Sequence, residues 1–262
     1  MSDTAVRQYL LAFDIHYPEY DPAAWACVLD YARRNRVEGF IFGGDALDLS
    51  CVSHHTAGKG LYRPQGALKS NLDGFKRDIL DPLDAALNPD ADKRFIIGNH
   101  EAWLTEQLAE TSPELDGMLD LATYLDLERR GYQVIQQGGF TKLGKLVVIH
   151  GDTIRAGVYS ARKAAEVYAG SSVCMGHYHT LQTHTRSSPV TETDRWTATV
   201  LPCLCNLAPR YGRNAANAWL TGFGVCFVRP GGKFNLYPVA VVDGECVGPD
   251  GRVYGKRIRK AA

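Results

Sequence analysis

Apolar residues in this chain gather in short blocks, and each block stops abruptly at polar or acidic residues. Tyr9-Leu10-Leu11-Ala12-Phe13 is closed by Asp14-Ile15-His16, and Gly39-Phe40-Ile41-Phe42 by Gly43-Gly44-Asp45-Ala46-Leu47-Asp48. Arg94-Phe95-Ile96-Ile97 runs into Gly98-Asn99-His100-Glu101. Leu146-Val147-Val148-Ile149 runs into His150-Gly151-Asp152, and Ser172-Val173-Cys174-Met175 into Gly176-His177-Tyr178-His179. Runs this short and this apolar, bounded by glycine, predict buried strands. Val134-Ile135 and Phe140 to Leu143 are weaker strand candidates.

Helical periodicity fills the spaces between them. Asp21-Pro22 supplies a cap and a first-turn proline, after which Trp25, Val28, Leu29 and Ala32 recur at helical spacing up to a basic last turn at Arg33-Arg34-Asn35-Arg36. Leu68 to Leu87 predicts a helix with Leu72, Phe75, Ile79 and Leu83 on one face and a kink at Pro82. Glu101 to Arg130 reads as mostly helical with a break at Ser112-Pro113, and Val158 to Ala169 as a helix of small residues. From Leu49 to Gly66 there is no periodicity, and a connection of that length is usually functional or disordered. Trp196 to Leu204, Gly222 to Val228 and Phe234 to Val242 read as strands with no helix between them, which predicts antiparallel pairing.

Composition narrows this α/β reading. With 262 residues and 45% hydrophobic content the chain can bury a substantial core. No repeat or linker divides it, so one domain spanning 1–262 is expected, with a basic tail over 251–262. The formal net charge is zero, which argues against a non-specific nucleic-acid binder. The first apolar run is too short for a signal-peptide core or a membrane span, so a soluble, cytoplasmic protein without a membrane partner is expected. The seven cysteines are odd in number and lack C-x-x-C spacing. Cys203 and Cys205 share one face of a candidate strand, where buried thiols are favoured over a redox or zinc role.

The strand ends carry the chemistry. Asp14 with His16, Asp45 with Asp48, Asn99 with His100, His150, and His177 with His179 follow separate strands, and five of the eight histidines stand there. Ligands collect at the carboxyl ends of strands in α/β sheets, and residues two apart in extended chain point the same way. Imidazole, carboxylate and amide oxygen suit divalent ions such as Mn²⁺, Fe²⁺, Ni²⁺ or Zn²⁺. Asp14, His16, Asp45, Asn99, His150, His177 and His179 exceed what one tetrahedral zinc uses, and they suffice for two metals sharing a bridge. Two metals about 3.5–4 Å apart can activate a bridging water for in-line displacement at phosphorus.

These blocks, Asp14-x-His16, Gly44-Asp45-x-x-Asp48, Gly98-Asn99-His100-Glu101, His150-Gly151 and Gly176-His177-x-His179, resemble in kind and order the signature of the calcineurin-like metallophosphoesterase superfamily. The resemblance implies a four-layer α/β/β/α sandwich with two mixed sheets. It implies that Asp14, His16 and His179 bind one metal and Asn99, His150 and His177 the other, with Asp45 bridging. It further implies that His100 assists the leaving group and that Asp48 supports it from behind. Glu101 stands where many relatives have Asp, and either carboxylate can orient an imidazole. Asp152 stands where many relatives have another histidine.

The expected activity is hydrolysis of a phosphate ester, monoester or diester, with two divalent metals, Mn²⁺ foremost. Alternatives are a DNA exonuclease or endonuclease of the same superfamily and, ranked lower, a non-catalytic metal-binding scaffold. Substrate-contact candidates are Asn99, His54 and His55, with Lys59 and Arg63 in the same 49–66 loop, and Arg155 with Arg162 and Lys163 after His150. The oligomeric state is not legible.

Overall fold

Tyr9, Leu11 and Phe13 alternate with Leu10 and Ala12 along the first strand, and the two sets enter different cores. The structure is a computed structural model that describes residues 5–53, 56, 60, 65–111, 114, 120–188, 190, 195–208 and 218–255. His54, His55, Lys59, Arg63 and the tail beyond Gly255 therefore lie outside the described residues.

The first sheet is built from β1 (Arg7–Ala12), β2 (Gly39–Phe42), β3 (Asp92–Ile96), β4 (Tyr132–Ile135), β10 (Gly222–Val228) and β11 (Phe234–Ala240), in the order β11-β10-β1-β2-β3-β4. β1 to β4 are mutually parallel, and β10 and β11 add antiparallel strands at one side. The second sheet holds β5 (Thr141–Leu143), β6 (Leu146–Val148), β7 (Ser172–Met175), β8 (Gln182–Ser187) and β9 (Arg195–Val200), in the order β5-β6-β7-β9-β8. Here β6, β7 and β9 are parallel and the outer strands antiparallel. The strand β9, expected to pair antiparallel, does so with β8 on one side. It lies parallel to β7 on the other because β8 carries the chain back along the sheet before it begins. β8, and the hairpin of β12 (Glu245–Val247) with β13 (Val253–Gly255), have no counterpart in the sequence pattern. β8 reads Gln-Thr-His-Thr-Arg-Ser, without the apolar residues that mark a strand.

Three cores define the four layers. Tyr9, Leu11, Phe13 and Ile41 of the first sheet meet Leu146, Val148 and Cys174 of the second, filling the space between the sheets. Leu10, Phe40, Phe42 and Phe95 face outward onto α1 (Pro22–Arg34), α2 (Ala67–Phe75) and α3 (Asp81–Ala86) through Trp25, Val28, Phe75 and Leu83. On the other side Val147, Val173 and Ala198 pack on Ala161, Ala164 and Ala165 of α6 (Ser160–Val167). Each of these large side chains contributes about 1.5–3 kcal/mol by leaving water.

Helix boundaries follow local chemistry. The Asp21 carboxylate accepts the N–H groups of Ala23 and Ala24, which caps α1 as its sequence predicts. Between α2 and α3 the chain widens into a π turn over Lys76–Leu80, immediately before Pro82, whose missing N–H cannot continue the α ladder. α4 (Asn99–Thr111) and α5 (Leu121–Tyr124) are shorter than the predicted 101–130 helix, since Asp126 and Gly131 take positive φ and turn the chain into β4. Among the described residues no helix is long and apolar enough to cross a membrane.

Candidate metal centre

Parallel strands place their carboxyl ends on one edge, and β1, β2 and β3 are neighbours, as are β6 and β7. Asp14, Asp45, Asn99, His150 and His177 each follow one of these strands by a few residues, so the two sheets deliver them to one crevice. The loop after β1 and the loop after β2 are stitched together: His16 N–H donates to Asp45 O at 2.9 Å and Asp14 N–H to Gly44 O at 3.1 Å. Asp14, His16, Asp45, His177 and His179 are five of the eight non-glycine residues with positive φ among those described. Such backbone costs roughly 1–3 kcal/mol per residue, and it persists where the surroundings over-determine it. Gly98 and Gly176 serve close approach instead: a Cβ at Gly98 would collide with the Asp45 carboxylate, and one at Gly176 with that of Asp14.

The gathered side chains form two sets joined by Asp45. In the first, His16 Nε2 lies 3.1 Å from His179 Nε2 and 4.0 Å from Asp14 Oδ1, and His179 Nε2 is 3.5 Å from Asp14 Oδ1. In the second, His150 Nε2 is 3.1 Å from Asn99 Oδ1, with His177 beside it at a ring-centroid distance of 5.1 Å. Asp45 Oδ2 is 3.2 Å from His150 Nε2, 3.9 Å from His16 Nε2 and 3.8 Å from His100 Nε2. Donor atoms of Asp14, His16 and His179 lie close enough to share one ion, and so do those of Asp45, His150 and His177.

The residues present fit a pair of divalent cations. Asp14 Oδ1 is buried without a hydrogen-bond partner, and two imidazole nitrogens converge on it, an arrangement that a cation satisfies. Burial works against the charged form of Asp45, yet the His150, His100 and His16 imidazoles outweigh it and hold the carboxyl well below its ordinary range. At Asp14 burial is likewise overcome, by His179 and His150, and the group is lowered. Burial disfavours charge on His150, but Asp45 and Asp14 push that imidazole up to about 10. His150 Nδ1 is 3.1 Å from the Gly43 carbonyl, which can only accept, so Nδ1 keeps a proton and Nε2 is the nitrogen turned to the cluster.

One supporting residue, Glu101, differs from expectation. Glu101 does not orient His100: its carboxylate accepts the N–H groups of Asp45 at 3.0 Å, Leu47 at 2.8 Å and Gly98 at 2.8 Å, tying the Asp45 loop to the Gly98 turn. The longer Glu side chain reaches the backbone beneath the site and is fully spent there. His100 is held instead by Asp48, whose backbone carbonyl lies 2.6 Å from Nδ1 while its carboxylate is 3.7 Å away. Asp48 Oδ1 also stands 3.5 Å from His16 Nδ1, so one residue steadies both imidazoles. Asp152 turns aside and accepts Gln137 Nε2–H at 3.1 Å.

The substrate-contact candidates fare unevenly. Asn99 is in the cluster, and Arg155 is exposed on the loop after His150. Arg162 and Lys163 pair with Glu166 on the α6 surface at 3.4 and 3.9 Å, which accounts for their charge without a phosphate. The 49–66 segment begins packed: Leu49 and Ser53 are buried.

Three features escaped the sequence reading. Trp103 lies against His100 with ring centroids 3.9 Å apart, one helical turn along α4, a spacing that could have been noticed. Trp219 meets His179 at 4.2 Å from a distant part of the chain. Cys203 and Cys205, buried thiols as expected, stand beside His179, with Cys205 Sγ 3.7 Å from its Nδ1.

Two mixed sheets face to face, helices outside, and the five sequence blocks meeting at one edge make the four-layer arrangement that the sequence resemblance implies. No family model matches the chain, and no curated protein matches it. Solved structures that align with it include vacuolar protein sorting 29 from Cryptosporidium parvum, over 96% of this chain and 99% of that chain at 12% identity and a TM-score of 0.47. A metallophosphoesterase from Sphaerobacter thermophilus aligns over 90% and 88% at 14% identity and a TM-score of 0.42. A nuclease from Pseudomonas putida aligns over 95% and 87% at 15% identity and a TM-score of 0.39. At such identities no residue's role transfers from them.

Proposed function

We propose that the chain is a phosphoesterase that works with two divalent metals. The observation that carries this reading is the position of Asp45, whose Oδ2 stands between the His16 side and the His150 side of the cluster. Asp14, His16 and His179 would hold one cation and Asn99, His150 and His177 the other, with Asp45 shared. Bound there, two divalent cations supply positive charge at a phosphoryl group and lower the pKa of water between them. Mn²⁺ suits the mixed oxygen and nitrogen donor set.

The chain's own residues do the rest. Asp14 and Asp45, buried and kept ionised, fix negative charge where cations are wanted. His100 Nδ1–H donates to the Asp48 carbonyl, which leaves Nε2 turned toward Asp45. Burial pushes this imidazole down to about 4, against Asp45 and Asp48, so the resting ring is neutral with Nε2 unprotonated. In its imidazolium form the Nε2 proton is aimed at the leaving oxygen, the place of a general acid. Trp103 covers the imidazole from the other side and keeps it from rotating. On this reading the chain acts as one domain on a phosphate ester, and nucleic acid enters only as a substrate.

Rates on p-nitrophenyl phosphate, bis-p-nitrophenyl phosphate and single-stranded DNA, each with Mn²⁺ and with chelator, test the reading. Chelator-sensitive cleavage of one or more is the expected result and distinguishes monoesterase, diesterase and nuclease. A pure, folded, metal-loaded chain inactive on all three would instead fit a scaffold.

A further inference from the structure

Beside the cluster lies a cavity of about 620 Å³ whose walls come from three separate stretches around Val158, Tyr178 to Gln182, and Ala218 to Leu220. Its size is that of a small-molecule site. It adjoins the metal centre through two of its lining residues, Tyr178 and Trp219. The Tyr178 ring meets that of His177 at 5.1 Å, and Trp219 meets His179 at 4.2 Å. Trp219 is held there by backbone: Leu220 N–H donates to His179 O at 2.8 Å, and Leu220 O accepts Cys203 N–H at 3.0 Å.

The chemistry of the lining is restrictive. Among the described residues that line it none is charged, so it offers nothing to a second phosphate or a carboxylate. Its one large polar side chain, Gln182, is already engaged, with Oε1 accepting from Ser160 Oγ at 3.1 Å and Nε2 donating to Thr180 Oγ1 at 2.9 Å. Val158 and Leu181 nevertheless remain 78% and 43% exposed at its rim, an apolar surface that no described element covers. An uncharged, largely aromatic and aliphatic wall receives a flat ring by stacking.

Resting on the phosphoesterase reading, we infer that this groove seats a neutral aromatic group of the substrate, the base of a nucleotide ester, against Trp219 and Tyr178 while the phosphate lies at the metal centre. The preferred substrate is then a nucleotide-bearing ester, selected without regard to base identity because stacking is common to every base.

Two p-nitrophenyl diesters with the same leaving group test this: thymidine 5′-(p-nitrophenyl) phosphate and methyl p-nitrophenyl phosphate, assayed with Mn²⁺. Wild type should favour the thymidine ester by about tenfold or more in kcat/KM, mostly through KM. Trp219→Ala should bring that ratio close to one, and Trp219→Phe should preserve most of it. Equal kcat/KM for the two esters in wild type, or a ratio untouched by Trp219→Ala, overturns the inference. Binding of thymidine, which has no ester to cleave, is read separately by quenching of tryptophan fluorescence in the Mn²⁺-loaded protein. Saturable quenching in wild type that vanishes in Trp219→Ala supports the groove, and its absence in wild type overturns it. If neither diester is turned over the thymidine measurement decides the groove by itself, and the phosphoesterase reading falls only where p-nitrophenyl phosphate is left uncleaved as well.

Discussion

The Glu101 carboxylate accepts the backbone N–H of Asp45 at 3.0 Å and, with its other oxygen, that of Leu47 at 2.8 Å. A buried side chain after β3 thereby sets the loop after β2, whose Asp45 lies at the middle of the cluster. Glu101→Gln keeps the shape and loses one acceptor oxygen, leaving buried N–H groups unsatisfied at about 1–3 kcal/mol each. We expect a lower thermal midpoint together with weaker metal retention, of the order of the 10–100-fold loss seen when outer partners of a metal site are removed. Unchanged melting and unchanged metal content would show that Glu101 does not set the loop.

Asp45 and Asp14 should differ in a measurable way. Asp45→Asn removes the carboxylate shared by both sets, so metal content measured by elemental analysis should fall at both positions and turnover should vanish. Asp14→Asn touches one set only, and about half of the metal should remain. Equal stoichiometry in the two variants would contradict a shared carboxylate.

His100→Ala should keep its metals and lose rate. Positioned proton donors contribute roughly 10²–10⁴-fold, and most where the leaving group is a poor one. The drop in kcat should therefore be larger for an alkyl ester than for a p-nitrophenyl ester. Loss of metal in this variant would make His100 a ligand, a role its proximity to His16 and Asp45 also permits.

The pH dependence of the metal-free protein follows from His150. Its folded pKa, pushed up to about 10 by Asp45 and Asp14 against burial, lies above the unfolded value of about 6.5. A raised histidine pKa stabilises the fold fully below about 6.5, and the contribution fades as pH climbs through about 10. In the presence of chelator, the lead in thermal midpoint of wild type over His150→Asn should shrink steadily between those limits. Since a cation replaces the proton at Nε2, metal affinity should rise over the same range. A lead that widens with pH would reverse the assignment.

Much of the site was legible one residue at a time. Apolar blocks closing on Asp14, Asp45, Asn99, His150 and His177 announce both the strands and the ends where ligands gather, since parallel strands share one direction. The Asp21-Pro22 cap and the Pro82 interruption are local events and were read correctly, although a π turn rather than a simple kink absorbs the proline. β8 was missed because its side chains are polar, and with it the parallel pairing of β9 to β7, which depends on what the chain does between strands.

What the sequence determined by itself, then, is the inventory: which segments are extended, which donor atoms stand at their ends, and that these donors suit hard-to-borderline cations. Tertiary structure alone decided which side chains serve one another. Glu101 could have faced His100 from its neighbouring position, yet two backbone N–H groups of the remote Asp45 loop and that of nearby Gly98 claim it. Trp219 reaches His179 across 40 residues of chain because Leu220 bonds to the backbone at both His179 and Cys203. Periodicity records the direction of a side chain relative to its own strand or helix. Hydrogen bonds and ring contacts between elements depend on where the folded sheets set those elements down, and no local pattern encodes that.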